Sequence, residues 1–176
     1  AVRPAATPRR AAPTRDHDGL KTAREWTGAA GGGKVVFKMT RQEILEFIEA
    51  NPVAWIATVE GDRPHVRALR AFRVRDDGPL FQISEPKDVY RQLAENPNVE
   101  VCFNDQARGI QVRVSGKVRF VEDDAVLEDV LVERSFLQSL AETQGRGAIK
   151  LFVIADAMAY AWTRELNFVP KEYVKL

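Results

Sequence analysis

The longest regular alternation in the chain is Ile110-Gln-Val-Arg-Val-Ser-Gly-Lys-Val-Arg-Phe-Val121, in which apolar and polar residues take turns over a stretch broken only by Gly116. A period of two gives a strand one face for a core and one for the outside. A glycine inside so long a strand marks a bulge or bend, the device by which a sheet curls into a barrel. The rest of the chain therefore has to supply strands that pair with a curled sheet.

It does so in short order. Val53-Ala-Trp-Ile-Ala-Thr-Val59 is an almost unbroken apolar run between Pro52 and Gly61-Asp62, which predicts a central strand covered on both faces, with Trp55 in the core. His65 to Val74 reads as a strand, Asp76-Asp77-Gly78 as a turn and Leu80 to Ser84 as the returning strand of a hairpin. Pro86 stops that strand. Lys87 to Glu95 carries Val89, Tyr90 and Leu93 at helical spacing, and Asn96-Pro97 ends the helix before the strand Val99 to Phe103. Further strands are expected at Val35–Phe37, Ile149–Ile154 and Met158–Thr163, the last two separated by Ala155-Asp156-Ala157, with a short extended piece over Asn167–Leu176.

Two more helices are signalled by their first turns. Thr40 and Glu43 have the spacing of a capping box, Met39 and Ile44 that of a hydrophobic staple, and the helix runs to about Ala50. Asp123-Asp124 opens a second, with Val126, Leu127, Val130, Leu131 and Phe136 on one face to about Leu140, before Gln144-Gly-Arg-Gly147 breaks the pattern. Six or seven antiparallel strands and a few short helices make a mainly β fold, a small barrel.

With 176 residues, this is a one-domain length. Residues 1–34, rich in Ala, Pro, Arg and Gly and without apolar period, read as a flexible basic N-terminal arm, and 35–176 as the folded domain. The net charge of +1 divides into +4 on the arm and −3 on the body, so nucleic acid is not an expected partner of the domain. No apolar run approaches the ~18 residues that span a bilayer, and no secretory signal segment is present, so a membrane partner is not expected either. A single cysteine, Cys102, excludes an intramolecular disulfide, and a cytoplasmic location is the expectation.

Catalytic constellations are missing. The sequence has no CxxC, HExxH or GxSxG, and its two histidines, His17 and His65, are too few for a histidine-rich metal site, so no metal is expected. No catalytic side chain can be named, and redox or group-transfer chemistry would have to come from a bound cofactor. What stands out instead is Arg67 and Arg70 on one strand, Ser84 at the end of another and Lys87 opening a helix. Cations, a hydroxyl and helix N–H groups brought together make a seat for a phosphate.

These residues, taken in order, resemble a family. The capped helix, Ala54-Trp-Ile-Ala-Thr-Val-Glu-Gly-Asp-Arg-Pro64, Val66-Arg67, Gly78-x-Leu-Phe81, Lys87-Asp-Val, Asn96-Pro-Asn-Val-Glu-Val-Cys-Phe103 and Val112-Arg-Val-Ser-Gly-Lys117 are similar to the pyridoxamine 5′-phosphate oxidase-like flavin proteins of the FMN-binding split-barrel fold, an antiparallel Greek-key barrel. The likeness covers roughly residues 40–176 and is to the small members of the group, not the true oxidase.

The resemblance implies a homodimer with FMN at the subunit interface, and a flavin-dependent oxidoreductase passing hydride or electrons between a reduced nicotinamide and a small molecule. It assigns the phosphate to Arg67, Ser84 and Lys87, flavin contact to Gln111, and the isoalloxazine or ribityl chain to Gln82 and the backbone at Leu69. Lys87-Asp88-Val89 stands where the oxidase has Ser-Arg-Lys, and the Glu85 carboxylate is expected to weaken anion binding. The alternative is a non-catalytic protein that binds or stores flavin, deazaflavin or heme, with His65 as the heme ligand.

Overall fold

The computed structural model describes residues 38–176. The arm and the Val35–Phe37 strand lie outside the described residues. Helix α1 (Arg41–Ala50) starts where the capping box places it: the Thr40 hydroxyl accepts from the Glu43 N–H at 3.2 Å and the Glu43 carboxylate accepts from the Thr40 N–H at 2.7 Å. Its buried face, Ile44, Leu45, Phe47 and Ile48, follows the 3.6-residue period.

The strands are β1 (Val53–Glu60), β2 (Arg63–Arg70), β3 (Arg73–Arg75), β4 (Gly78–Ser84), β5 (Asn98–Asp105), β6 (Ile110–Val121), β7 (Ile149–Trp162) and β8 (Val174–Lys175). All pairings are antiparallel, in the order β2-β1-β5-β6-β7-β4-β3, with β8 added to β7. Between β4 and β5 lies α2 (Asp88–Glu95); between β6 and β7 lie α3 (Asp124–Glu133) and α4 (Gln138–Gln144). The mainly β split barrel expected from the sequence is what forms, with eight strands, two of them only two or three residues long.

Three local expectations are corrected. The single strand over His65–Val74 is two strands that serve opposite edges of the sheet: β2 pairs with β1 and β3 with β4. The corner between them is closed by Ala71 N–H donating to Pro52 O at 2.8 Å and Phe72 N–H to Leu80 O at 2.7 Å, which brings the two ends of the strand order together. Ile149–Ile154 and Met158–Thr163 are one strand, β7, that bulges where Asp156 takes a left-handed φ of 51°. Gly116 faces this bulge. A Cβ there would lie 2.6 Å from Ala155 O and 2.7 Å from Ile154 Cγ2, so the close approach of the two strands requires glycine. Finally, the helix from Asp123 breaks at Arg134, whose guanidinium sits 5.3 Å from the centre of the Phe72 ring, and resumes as α4 after a 3-10 turn that buries Leu137.

Inside the barrel, Phe81, Phe103, Phe152, Ile56, Val101, Val112 and Val114 form the main core, joined by α1 and by Val89 and Leu93 of α2. Phe81 stacks between Phe103 and Phe152 at 6.3 and 5.1 Å. A second cluster, Leu80, Leu151 and Val153 with Leu127, Val130 and Leu131, fixes α3 to the outside of β4 and β7.

The outer face of β1 is not covered within the described chain. Trp55 is 46% exposed and Val53 44%, against the expectation of a strand buried on both sides. Register extends this face across the sheet, through Ala68, Trp55, Cys102, Arg113 and Tyr160 in one row and Val66, Ala57, Glu100, Ser115 and Met158 in the next.

Candidate functional site

At the mouth of the barrel, on the inner face of the sheet, β1, β2 and α2 meet through polar rather than apolar side chains. Thr58 follows Ala54 and Ile56 on the buried side of β1 and is itself fully buried, as is Gln92 of α2, which lies between Val89 and Leu93 on the helix's inward stripe. A buried hydroxyl and amide require partners. They find each other and Arg67: the Thr58 hydroxyl donates to Gln92 Oε1, Arg67 Nη1 donates to Thr58 Oγ1, and Arg67 Nη2 donates to Gln92 Oε1, each at 2.7 Å.

The donor inventory fixes the direction of every bond in this triangle. Arginine only donates, so Gln92 must turn its oxygen towards Arg67 and its NH₂ the other way. There it meets an acceptor, Glu60 Oε2 at 3.0 Å. Glu60 also accepts from Arg91 at 2.7 Å and lies 3.5 Å from His65 Nε2. The Arg91 hydrogen bond, with Gln92 adding to it, holds the Glu60 carboxyl down to a pKa of about 2.

Arg67 is thus held in place by two neutral acceptors and by no carboxylate. Partial burial lowers its pKa, with Asp88 opposing, yet a guanidinium stays charged at any physiological pH. Beside it opens a cleft of about 420 Å³ lined by His65, Arg67, Pro86, Lys87, Asp88, Val89 and Gln92. Lys87 occupies the N-cap position of α2, and its side chain makes no capping bond. The first N–H groups of a helix have no intrahelical acceptor, so the cleft gathers two cations and a helix N-terminus. Asp88 is the opposing charge; its carboxylate lies 3.5 Å from Arg91.

The structure therefore brings Arg67 and Lys87 together, with Leu69 two residues further along the same inward face of β2, against the core. Ser84 and Gln82 alternate with Phe81 and Ile83 and stand on the other face of β4, in register with Ile149 and Leu151 of the second cluster. Ser84 contributes its backbone oxygen, which accepts from the Lys87 N–H at 3.1 Å. Gln111, the second residue of β6, lies opposite Asn104 and Trp162, on the outward face of the sheet. Arg70 is on the exposed side of β2. Glu85, expected to oppose an anion, is outside the cleft lining and paired with Lys150 at 3.2 Å. The residues that the sequence reading missed are Thr58, Gln92, Glu60 and Arg91. The signal for Gln92 was present: a polar residue on the apolar stripe of a short amphipathic helix.

The family model described as pyridoxamine 5′-phosphate oxidase matches residues 40–163, from the cap of α1 to the end of β7. The chain belongs to this family. Solved structures share the family fold: a NimC/NimA family protein from Clostridium acetobutylicum (TM-score 0.62, 22% identity, 77% of this chain and 92% of the other) and General Stress Protein 26 from Bacillus anthracis (TM-score 0.60, 18% identity, 78% and 100%). HutZ, the heme storage protein of Vibrio cholerae, aligns with a TM-score of 0.50 at 23% identity over 66% of this chain and 89% of its own. No curated protein matches the sequence. Among the described residues, no group of three or more His, Cys, Asp and Glu side chains could hold a metal ion, and no helix is long and apolar enough to cross a membrane.

Proposed function

We propose that this member of the pyridoxamine 5′-phosphate oxidase family is a homodimeric FMN-binding oxidoreductase whose cleft seats the FMN phosphate. The observation that carries the reading is Arg67, fixed at 2.7 Å by two neutral acceptors with its charge left over, beside the Lys87 ammonium. A phosphomonoester dianion is the ligand end that this donor set fits, since it accepts charge-assisted hydrogen bonds from both cations and from helix N–H groups. Arg67 and Lys87 would hold that end; the bound flavin would supply hydride or electron transfer between a reduced nicotinamide and a small acceptor.

The homodimer is supported by the uncovered sheet face. Trp55, Val53 and Val66, the last 66% exposed, stand in neighbouring rows on it with Glu100 and Arg113, which pair with each other. An aromatic and aliphatic patch around a charge pair has the composition of an interface core with its polar rim, and a second copy of the chain would cover it. Gln111, on the outward face of β6 and remote from the cleft within one chain, is the residue for which a second copy matters most; Gln82 stands on the α3 side of β4, away from that face.

The heme alternative finds less support. His65 is the one histidine among the described residues, and its Nε2 already faces Glu60 at 3.5 Å in a cleft lined by cations. Arg67→Ala, Lys87→Ala protein, purified beside wild type, tests the phosphate seat. Wild type is expected to retain stoichiometric FMN and the double variant to lose it; full retention by the variant places the phosphate elsewhere. Bound flavin that neither NADH nor NADPH reduces would make the protein a carrier instead of a catalyst.

A further inference from the structure

We infer that Gln92 is a positioning residue that gives the cleft its preference for phosphate, by standing as a neutral spacer between Arg67 and Glu60. The inference rests on the phosphate-seat reading above and concerns how the seat is kept charged. Gln92 is 1% exposed and makes three side-chain hydrogen bonds: its oxygen accepts from Thr58 and Arg67 at 2.7 Å, and its nitrogen donates to Glu60 at 3.0 Å. The amide links the Arg67 guanidinium on one side to the Glu60 carboxylate on the other.

A carboxylate at position 92 would form the same bonds to Thr58 and Arg67 but would neutralise the guanidinium. Glutamine orients Arg67 without consuming its charge. At its other end it shares Glu60 with Arg91, so the negative charge of β1 is satisfied by α2 and kept from Arg67. Mere structural stapling of α2 to β1 would work equally well with the amide and the carboxylate exchanged. The difference between the two arrangements falls only on an anionic ligand.

That difference defines the experiment. Three proteins are compared as full chains: wild type, the exchange variant Gln92→Glu, Glu60→Gln, and Gln92→Met, which removes all three bonds without adding charge. Thermal midpoints and the dissociation constants of FMN and of riboflavin, which lacks the phosphate, are measured for each. Wild type and the exchange variant are expected to have similar thermal midpoints, and Met a lower one. The order expected for preference of FMN over riboflavin is different: wild type, Met, then the exchange variant, whose FMN affinity falls on the order of 10- to 100-fold more than its riboflavin affinity.

If the exchange variant keeps the wild-type preference, or if Met falls below it in preference, Gln92 is only a structural staple and the inference is overturned. Should the exchange variant not fold, Gln92→Met still decides, because a neutral positioning loss predicts a reduced but surviving preference and a complete loss contradicts it. A wild type that binds FMN no better than riboflavin would instead remove the phosphate-seat reading, and this assignment with it.

Discussion

Replacing Thr58 by valine deletes one hydrogen-bonding oxygen and keeps the shape of a side chain that is completely buried. The loss can be worked from its bonds. The hydroxyl's donation to Gln92, at 2.7 Å, is a neutral hydrogen bond with a net value of about 0.5–1.5 kcal/mol. The bond that it accepts from Arg67, also 2.7 Å, is charge-assisted and contributes about 1.5–3 kcal/mol. Valine recovers about 1 kcal/mol because no hydroxyl has to be desolvated. The net destabilisation is about 1–3.5 kcal/mol, or roughly 3–12 °C in Tm for a domain of this size.

Urea unfolding followed by tryptophan fluorescence at fixed protein concentration measures it, with an unchanged m-value showing that the unfolding reaction is the same. Thr58→Ser keeps both bonds and is expected to lose far less. A valine variant within about 0.5 kcal/mol of wild type would refute the reasoning, since surface-like neutrality is incompatible with a buried network that depends on this hydroxyl.

Three further outcomes are expected. Gly116→Ala forces a Cβ to within 2.6 Å of the Ala155 carbonyl and should destabilise the fold by about 1–3 kcal/mol, read by the same urea titration; a neutral result would mean that the bulge yields freely. Glu60 has its pKa lowered from 4.5 to about 2, so its stabilisation is present above about pH 4.5 and is lost as pH falls towards 2. The stability gap between wild type and Glu60→Gln should therefore close across that interval, and a gap that persists unchanged to pH 2 contradicts the network. Trp55→Glu should convert a dimer into a monomer in sedimentation velocity, whereas an intact dimer would show that the outer sheet face is not the contact.

The barrel was legible because its strands carry the period of two and its turns carry their own chemistry. Gly116 announced its bulge, and Thr40 with Glu43 announced the first helix. The misread places are those where tertiary pairing overrides a continuous pattern. His65 to Val74 looks like one strand locally, and only the need to serve both edges of a curled sheet divides it at Ala71. Ala155-Asp156-Ala157 looks like a break, but a bulge opposite Gly116 carries β7 through it.

Trp55 looked like core because an apolar run does not say whether its second cover is the same chain. Of the site, Arg67 and Lys87 could be picked out as cations near a strand and a helix start. Thr58 and Gln92 could not be joined to them from sequence, since the bonds span 34 residues between Thr58 and Gln92 and depend on how α2 docks against β1.

The central claim is that the cleft between β2 and α2 seats the phosphate of FMN. The most direct measurement is the visible absorption spectrum of gently purified full-length protein, with the released chromophore identified by mass and the colourless fraction titrated with FMN. An oxidised-flavin spectrum with the mass of FMN, at one flavin per chain and absent from the Arg67→Ala, Lys87→Ala variant, is the predicted result. A colourless protein that takes up no added FMN would contradict it.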